Sequence, residues 1–342
     1  MKKKYHIYGI GAALVDTELE VTEADLSCLK IEKGLMELVD KKRQLEVLSY
    51  LKNNQIQASR ASGGSACNTI VAASYFGSST FFSGKVAEDE NGEFYLDDLT
   101  QAGVEVPKIS NESGSTGTCL ILITPDAERS MNTFLGISAN LSEREINPQK
   151  IVESTYLYME SYLLTSDRCK KAAIIARNIA QESNTKISIS LSDPGIVTHF
   201  RDDLNELIGD KVDMIFCNLD EALSFSNTKN LDSAIEFLKT RSEKFIITLG
   251  QKGALIFDGK IIFETVGVPV KAVDTNGAGD MFAGAFLHGI CNDMSFKEAG
   301  KFASIAAAAV VTKYGPRLKP KLHKEILNKF LRDSNQSHYA EK

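Results

Sequence analysis

Between residues 273 and 289 the chain reads VDTNGAGDMFAGAFLHG, with Asp274 and Asp280 flanking the small residues Gly277-Ala278-Gly279. Small residues in a row let an anion approach backbone N–H groups closely. The apolar stretch that follows reads as a buried helix. The first N–H groups of a helix lack internal partners and carry partial positive charge. This turn therefore suits an anion. A carboxylate beside an anion site is costly unless it acts on something, and deprotonating a hydroxyl nucleophile is the task that fits Asp280. The plainer alternative is an aspartate that N-caps the helix, with glycines serving the turn.

The elements that must hold this turn follow from the rest of the chain. The 342 residues are 43% hydrophobic, with a formal net charge of −6. That length buries a sizeable core, and the lack of basic excess argues against nucleic acid and anionic membranes as partners. Lys2-Lys3-Lys4 is followed too soon by Asp16, Glu18 and Glu20 to read as a signal peptide. No run approaches the roughly 18 apolar residues of a membrane helix. The six cysteines (Cys28, Cys67, Cys119, Cys169, Cys217, Cys291) are scattered, as expected for reduced thiols of a cytoplasmic protein.

Short β-branched or aromatic runs (YHIYGIGAALVD, KISISLSD, VDMIFCN, FIITLG) alternate with helical stretches such as DRCKKAAIIARNIAQES and LDSAIEFLKTR. This rhythm predicts an α/β fold, Rossmann-like, with a mostly parallel sheet flanked by helices. A single α/β domain is expected over 1–330, with a fraying polar tail at 331–342. Two stretches break the rhythm, at about 16–40 and 114–138, the second with a turn at Pro125-Asp126. They read as extended segments forming a small β-sheet lid. GIGAAL at 9–14 begins like a dinucleotide fingerprint, but Leu14 stands where the third glycine is needed. No P-loop pattern is present. His6, His199, His288, His323 and His338 form no spaced pair and receive no role.

The string D-T-x-G-A-G-D before a small-residue helix resembles the C-terminal signature of the ribokinase-like (PfkB-type) sugar and nucleoside kinases. SGGSACNTIVAASYFG at 62–77, NLDE with Asn218 and Glu221, and TLGQKGA with Thr248, Gly250 and Gly253 match further family motifs in order. The resemblance spans residues 9 to 316. It implies an ATP-dependent phosphotransferase that cradles phosphate on Gly277, Ala278 and Gly279, with Asp280 as base. It also implies ATP and Mg²⁺ as cofactors, and admits a monovalent cation such as K⁺.

Each motif has its own chemistry. Gly63 and Gly64 let backbone approach a polyol, and Asn68 offers donors and an acceptor to vicinal hydroxyls. The resemblance makes Asp16 the diol ligand; by itself it could as well be a surface aspartate starting a turn. Asn218 and Glu221 share a face of a helical turn. Glu221 suits Mg²⁺ through water, and the pair also reads as an N-cap with a favourable first-turn acid. The resemblance places Asn218, Thr248, Gly250, Gly253 and Asp274 on the ATP side. Arg129 either closes over the transferred phosphate or is a solvated surface residue.

GIGAALVD, TGTCLILITPDAERSMNTFLG and YMESYLL look most like the adenosine-kinase branch. That implies phosphorylation of the 5′-hydroxyl of a purine nucleoside, adenosine first. A nucleoside needs a flat apolar slot beside the ribose site. Leu14, Met36, Phe134 and Tyr162 are its candidate walls, or simply core and lid packing. The alternative acceptor is a free sugar, ribose or a related one. A silent sugar or nucleotide sensor has no need of Asp280. The expected enzyme is cytoplasmic, a monomer or homodimer, with small-molecule partners only.

Overall fold

A computed structural model describes residues 3–54, 58–107, 112–126 and 128–340. The strands are β1 (Tyr5–Ile10), β2 (Leu14–Glu20), β3 (Met36–Leu38), β4 (Ala58–Gly63), β5 (Thr80–Ser83), β6 (Val104–Glu105) and β7 (Gly117–Ile123). They continue as β8 (Arg129–Phe134), β9 (Ser154–Glu160), β10 (Lys186–Ser190), β11 (Val212–Asn218), β12 (Ser242–Thr248), β13 (Gly253–Phe257) and β14 (Ile262–Val266). The helices are α1 (Glu23–Leu29), α2 (Lys41–Asn53), α3 (Ser65–Tyr75), α4 (Glu90–Gln101), α5 (Pro148–Val152), α6 (Asp167–Glu182) and α7 (Pro194–His199). After them come α8 (Arg201–Ile208), α9 (Leu219–Ser226), α10 (Leu231–Arg241), α11 (Ala278–Cys291), α12 (Phe296–Val310) and α13 (Pro320–Ala340).

Among the described residues the strands form two sheets. The larger has nine, in the order β14-β13-β12-β11-β10-β9-β1-β5-β6. It is parallel from β12 through to β6, and β13 and β14 add an antiparallel edge. Parallel strands need crossover helices, which cover both faces and make the strands nearly continuous apolar runs. Two cores result. One packs α3, α11 and α12 on one face around Phe82, Phe286 and Phe302. The other packs α6, α8, α9 and α10 on the opposite face around Leu157, Ile189 and Phe245. The expected mostly parallel, helix-flanked sheet is what the chain forms.

The second sheet has five strands, β3-β8-β7-β2-β4. It contains both irregular stretches, but also β4, which the sequence signals did not place there. Side chains alternate between its faces. Leu19, Leu120 and Leu122 pack with α1 and α2 around Leu26, Val47 and Leu51. The stretch at 16–40 is therefore not extended throughout. Thr22 and Asp25 form a capping box that starts α1, a signal present in VTEAD. The polar end also differs from expectation: α13 continues to Ala340, and 341–342 lie outside the described residues. No helix among the described residues is long and apolar enough to cross a membrane.

Candidate active site

The carboxyl ends of β1, β9, β10 and β11 point toward the small sheet, and the space between is a cavity of about 300 Å³. Ligands of open parallel sheets collect at this end. Ala12, Glu160, Ser192 and Asn218 line it from the large sheet. The small sheet contributes alternate residues: Leu14 and Asp16 from β2, Met36 and Leu38 from β3, Cys119 and Ile121 from β7, Met131 and Thr133 from β8. Strand parity thus turns one whole face inward. Phe134, expected as a slot wall, falls on the other parity and does not line the cavity; Leu135 does. Tyr162 lines it as expected.

The floor is the start of α11. Gly277 is the N-cap residue, in the left-handed region at φ 70°. A Cβ there would lie 2.5 Å from the Pro316 carbonyl oxygen and 2.6 Å from its Cα. Gly277, Ala278, Gly279 and Asp280 all line the cavity. Asp280 does not cap the helix. Its carboxylate accepts from Ser65 Oγ at 2.6 Å and from Asn68 Nδ2 at 3.4 Å, both on α3. Burial pushes its pKa up to about 6, against the lowering effects of Ser65, Asn68 and Arg317. A base held near the operating pH is suited to proton transfer.

Three more carboxyl groups face the same space. Asp16, 6% exposed, has its pKa raised by burial to about 7 despite the opposing charge of Arg317. It fits only because residue 63 is glycine: a Cβ on Gly63 would sit 2.1 Å from the Asp16 carboxyl carbon. Gly64, at φ 96°, lines the cavity directly and begins α3. Glu160 accepts from the backbone N–H groups of Ala12 at 2.7 Å and Ala66 at 2.5 Å, and burial raises it to about 7. Glu221, also raised to about 7 by burial, forms a capping box with Asn218 at the start of α9. Its two oxygens accept from Asn218 N at 3.0 Å and Asn218 Nδ2 at 2.7 Å.

The ATP-side residues divide. Asn218 lines the cavity, whereas Thr248, Gly250 and Gly253 do not. Thr248 pairs with Asn218 across β11 and β12, so this loop flanks the site. Asp274 also lies off the cavity wall. It is 2% exposed and accepts N–H groups from Asn276 and Gly315 at 2.8 Å each. Arg129 Nε pairs with it at 2.7 Å, and the guanidinium also donates to Thr275 Oγ1 at 2.8 Å. The Asp274 carboxylate thus braces the turn from behind, and Arg129 ties the small sheet to it while lining the cavity. Among the described residues no group of ligating side chains could hold a metal by itself.

Several residues were not singled out from the sequence, among them Ser65, Met131, Leu135, Glu160 and Arg317. Glu160 had one signal, a carboxylate ending an apolar strand in YLYME. Arg317, beyond α12, hydrogen-bonds Asn68 and had none.

Comparison with known proteins agrees with this geometry. Residues 27–322 match the family model of the pfkB family carbohydrate kinases. The crystal structure of a probable sugar kinase from Rhizobium etli superposes with a TM-score of 0.87 at 29% identity, over 96% of this chain and 98% of that one. Adenosine kinase from Sinorhizobium meliloti superposes with a TM-score of 0.84 at 33% identity, over 92% and 96%. A probable fructokinase-5 from Arabidopsis thaliana is 28% identical over 274 residues, 75% of this chain and 84% of that protein. The glycine turn ending in Asp280, the family match across nearly the whole chain and the shared fold have one meaning: this protein belongs to the pfkB family of carbohydrate kinases and is a phosphotransferase acting on an alcohol group.

Proposed function

We propose that this kinase transfers the γ-phosphoryl group of ATP to the 5′-hydroxyl of a purine nucleoside, adenosine first. The observation that carries this reading is the apolar wall. Leu14, Met36, Ile121, Met131 and Leu135 converge on the cavity beside Asp16 and Asn68. A ribose diol suits the two polar groups, and a purine covers the wall, worth about 25 cal/mol per Å² of apolar surface removed from water. A free sugar leaves that wall uncovered. The similarity to the S. meliloti adenosine kinase supports the same choice. The fructokinases among its relatives favour the second reading, a free-sugar kinase.

In the transfer, the acceptor hydroxyl attacks the γ-phosphorus in line, the bond from that phosphorus to the bridging oxygen breaks with ADP as the leaving group, and the hydroxyl proton passes to Asp280. The leading N–H groups of α11, with the glycine turn before it, stabilise charge on the phosphoryl oxygens. Mg²⁺ enters with ATP as part of the substrate. Glu221, whose two oxygens accept from Asn218, would hold such an ion through water. Thr248, Gly250 and Gly253 flank the nucleotide. The small sheet acts as a lid that excludes water, which would otherwise accept the phosphate.

Initial rates with adenosine, guanosine, inosine and ribose test the reading. Met131→Ala is expected to change the ranking of the purine nucleosides by roughly 10-fold or more, as pocket reshaping does. Phe134→Ala, off the cavity, leaves the ranking unchanged. Asp16→Ala lowers kcat/KM for every ribonucleoside alike, by roughly 10- to 100-fold, because a buried polar partner is lost. A nucleoside ranking indifferent to Met131→Ala contradicts the slot.

A further inference from the structure

The loop between α12 and α13 carries Gly315-Pro316-Arg317; its first two residues hold the catalytic turn and its brace, and the third reaches α3. Gly315 N donates to Asp274 Oδ2 at 2.8 Å, and Pro316 packs directly against Gly277. Arg317 passes behind α3. Its Nε donates to Asn68 Oδ1 at 2.8 Å and Nη1 donates to Ser62 Oγ at 2.9 Å and Asp98 Oδ2 at 3.0 Å. Nη2 donates to Cys67 Sγ at 3.2 Å. A guanidinium has donors only. Asn68 must therefore turn its carbonyl oxygen to Arg317 and its NH₂ group toward Asp280.

We propose that Arg317 is a positioning residue for the phosphoryl-transfer base: it locks the Asn68 amide against Asp280 and supplies the fixed positive charge that keeps Asp280 ionised. This rests on Asp280 being the base. Burial otherwise opposes ionisation of its carboxyl. Asp16 faces it from β2, Tyr158 and Glu160 from β9, Tyr162 from just beyond, and Glu221 from α9. Ser65 and Asn68 of α3 are neutral donors. Arg129, which lines the cavity, is committed to Asp274. Among the described residues Arg317 is the cation whose charge favours the Asp280 carboxylate, and it acts on Asp16 in the same sense.

The sign of the effect follows. Removing the charge raises the proton affinity of Asp280, so the base form is lost at higher pH. A group that merely supports the fold would instead lower activity by one factor at every pH.

The test is kcat/KM against pH for the full chain, Arg317→Gln, Arg317→Lys and Asp280→Asn, with adenosine as acceptor, or fructose if the unaltered protein prefers it. Arg317→Gln is expected to move the acid limb upward by about one pH unit, with a loss that shrinks toward high pH. Arg317→Lys keeps the charge but not the planar fork. Its acid limb stays in place while kcat falls. An Arg317→Gln profile lowered uniformly, with its limb unmoved, overturns the inference. Should Arg317→Gln fail to fold, Arg317→Lys decides alone: an acid limb that moves despite the retained charge overturns it. Near-normal turnover of Asp280→Asn removes the base itself. Collapse of Asp280→Asn with an unmoved Arg317→Gln limb removes only the role of Arg317.

Discussion

Asp280→Asn is expected to lower kcat by about 10²–10⁴-fold while the fold and acceptor affinity stay close to those of the unaltered protein. Asparagine has the same shape, and its side-chain oxygen can still accept from Ser65 Oγ, which donates to Asp280 at 2.6 Å. What it cannot do is take the proton of the attacking hydroxyl. The loss should therefore appear in kcat, with KM nearly unchanged. Steady-state kinetics alongside a thermal melt separate the two effects. Turnover within a few-fold of normal would show that proton removal is not the task of Asp280.

A second large effect is expected at Gly277, with Gly279 as its internal control. Gly277→Ala must place a Cβ 2.5 Å from the Pro316 carbonyl oxygen and 2.6 Å from its Cα, in a left-handed conformation. Both neighbours are backbone, so either the turn or the 315–317 loop must shift. Displacing one amide donor from the developing charge is worth about 10²–10³-fold in kcat. The strain should also lower stability by about 1–3 kcal/mol. A Cβ on Gly279 meets nothing within 4 Å, because it projects into open space. Gly279→Ala should fold normally and raise the KM for ATP, where the phosphates approach. Equal effects of the two substitutions on melting temperature would contradict this division of roles.

The motif residues that line the cavity were legible because they lie close together in the chain. Gly277 to Asp280 are consecutive, Asn68 closes a glycine-rich helix start, and Asn218 and Glu221 form one turn. Residues that act through long-range packing left little trace. Arg317 lies 249 residues from Asn68 in the chain, yet fixes its amide. Asp274 shares a motif with Asp280 and was expected on the ATP side, but the Gly315 N–H and the Arg129 guanidinium hold it behind the turn. Phe134 was misplaced by parity alone: an aromatic at the end of β8 reads as a wall until the register sets which alternate residues face inward. β4 escaped notice as a lid strand because its residues, ASRASG, have little β-branched or aromatic character.

The acceptor itself is the most direct measure of the whole account. ATP consumption and product identity should be followed with adenosine, ribose, fructose and no acceptor, under one set of conditions. The geometry predicts that adenosine is converted to its 5′-monophosphate with the highest kcat/KM, that ribose and fructose are poor acceptors, and that ATP is spared when no acceptor is present. Rapid phosphorylation of fructose or ribose with adenosine inert would contradict it and place the protein with the sugar kinases.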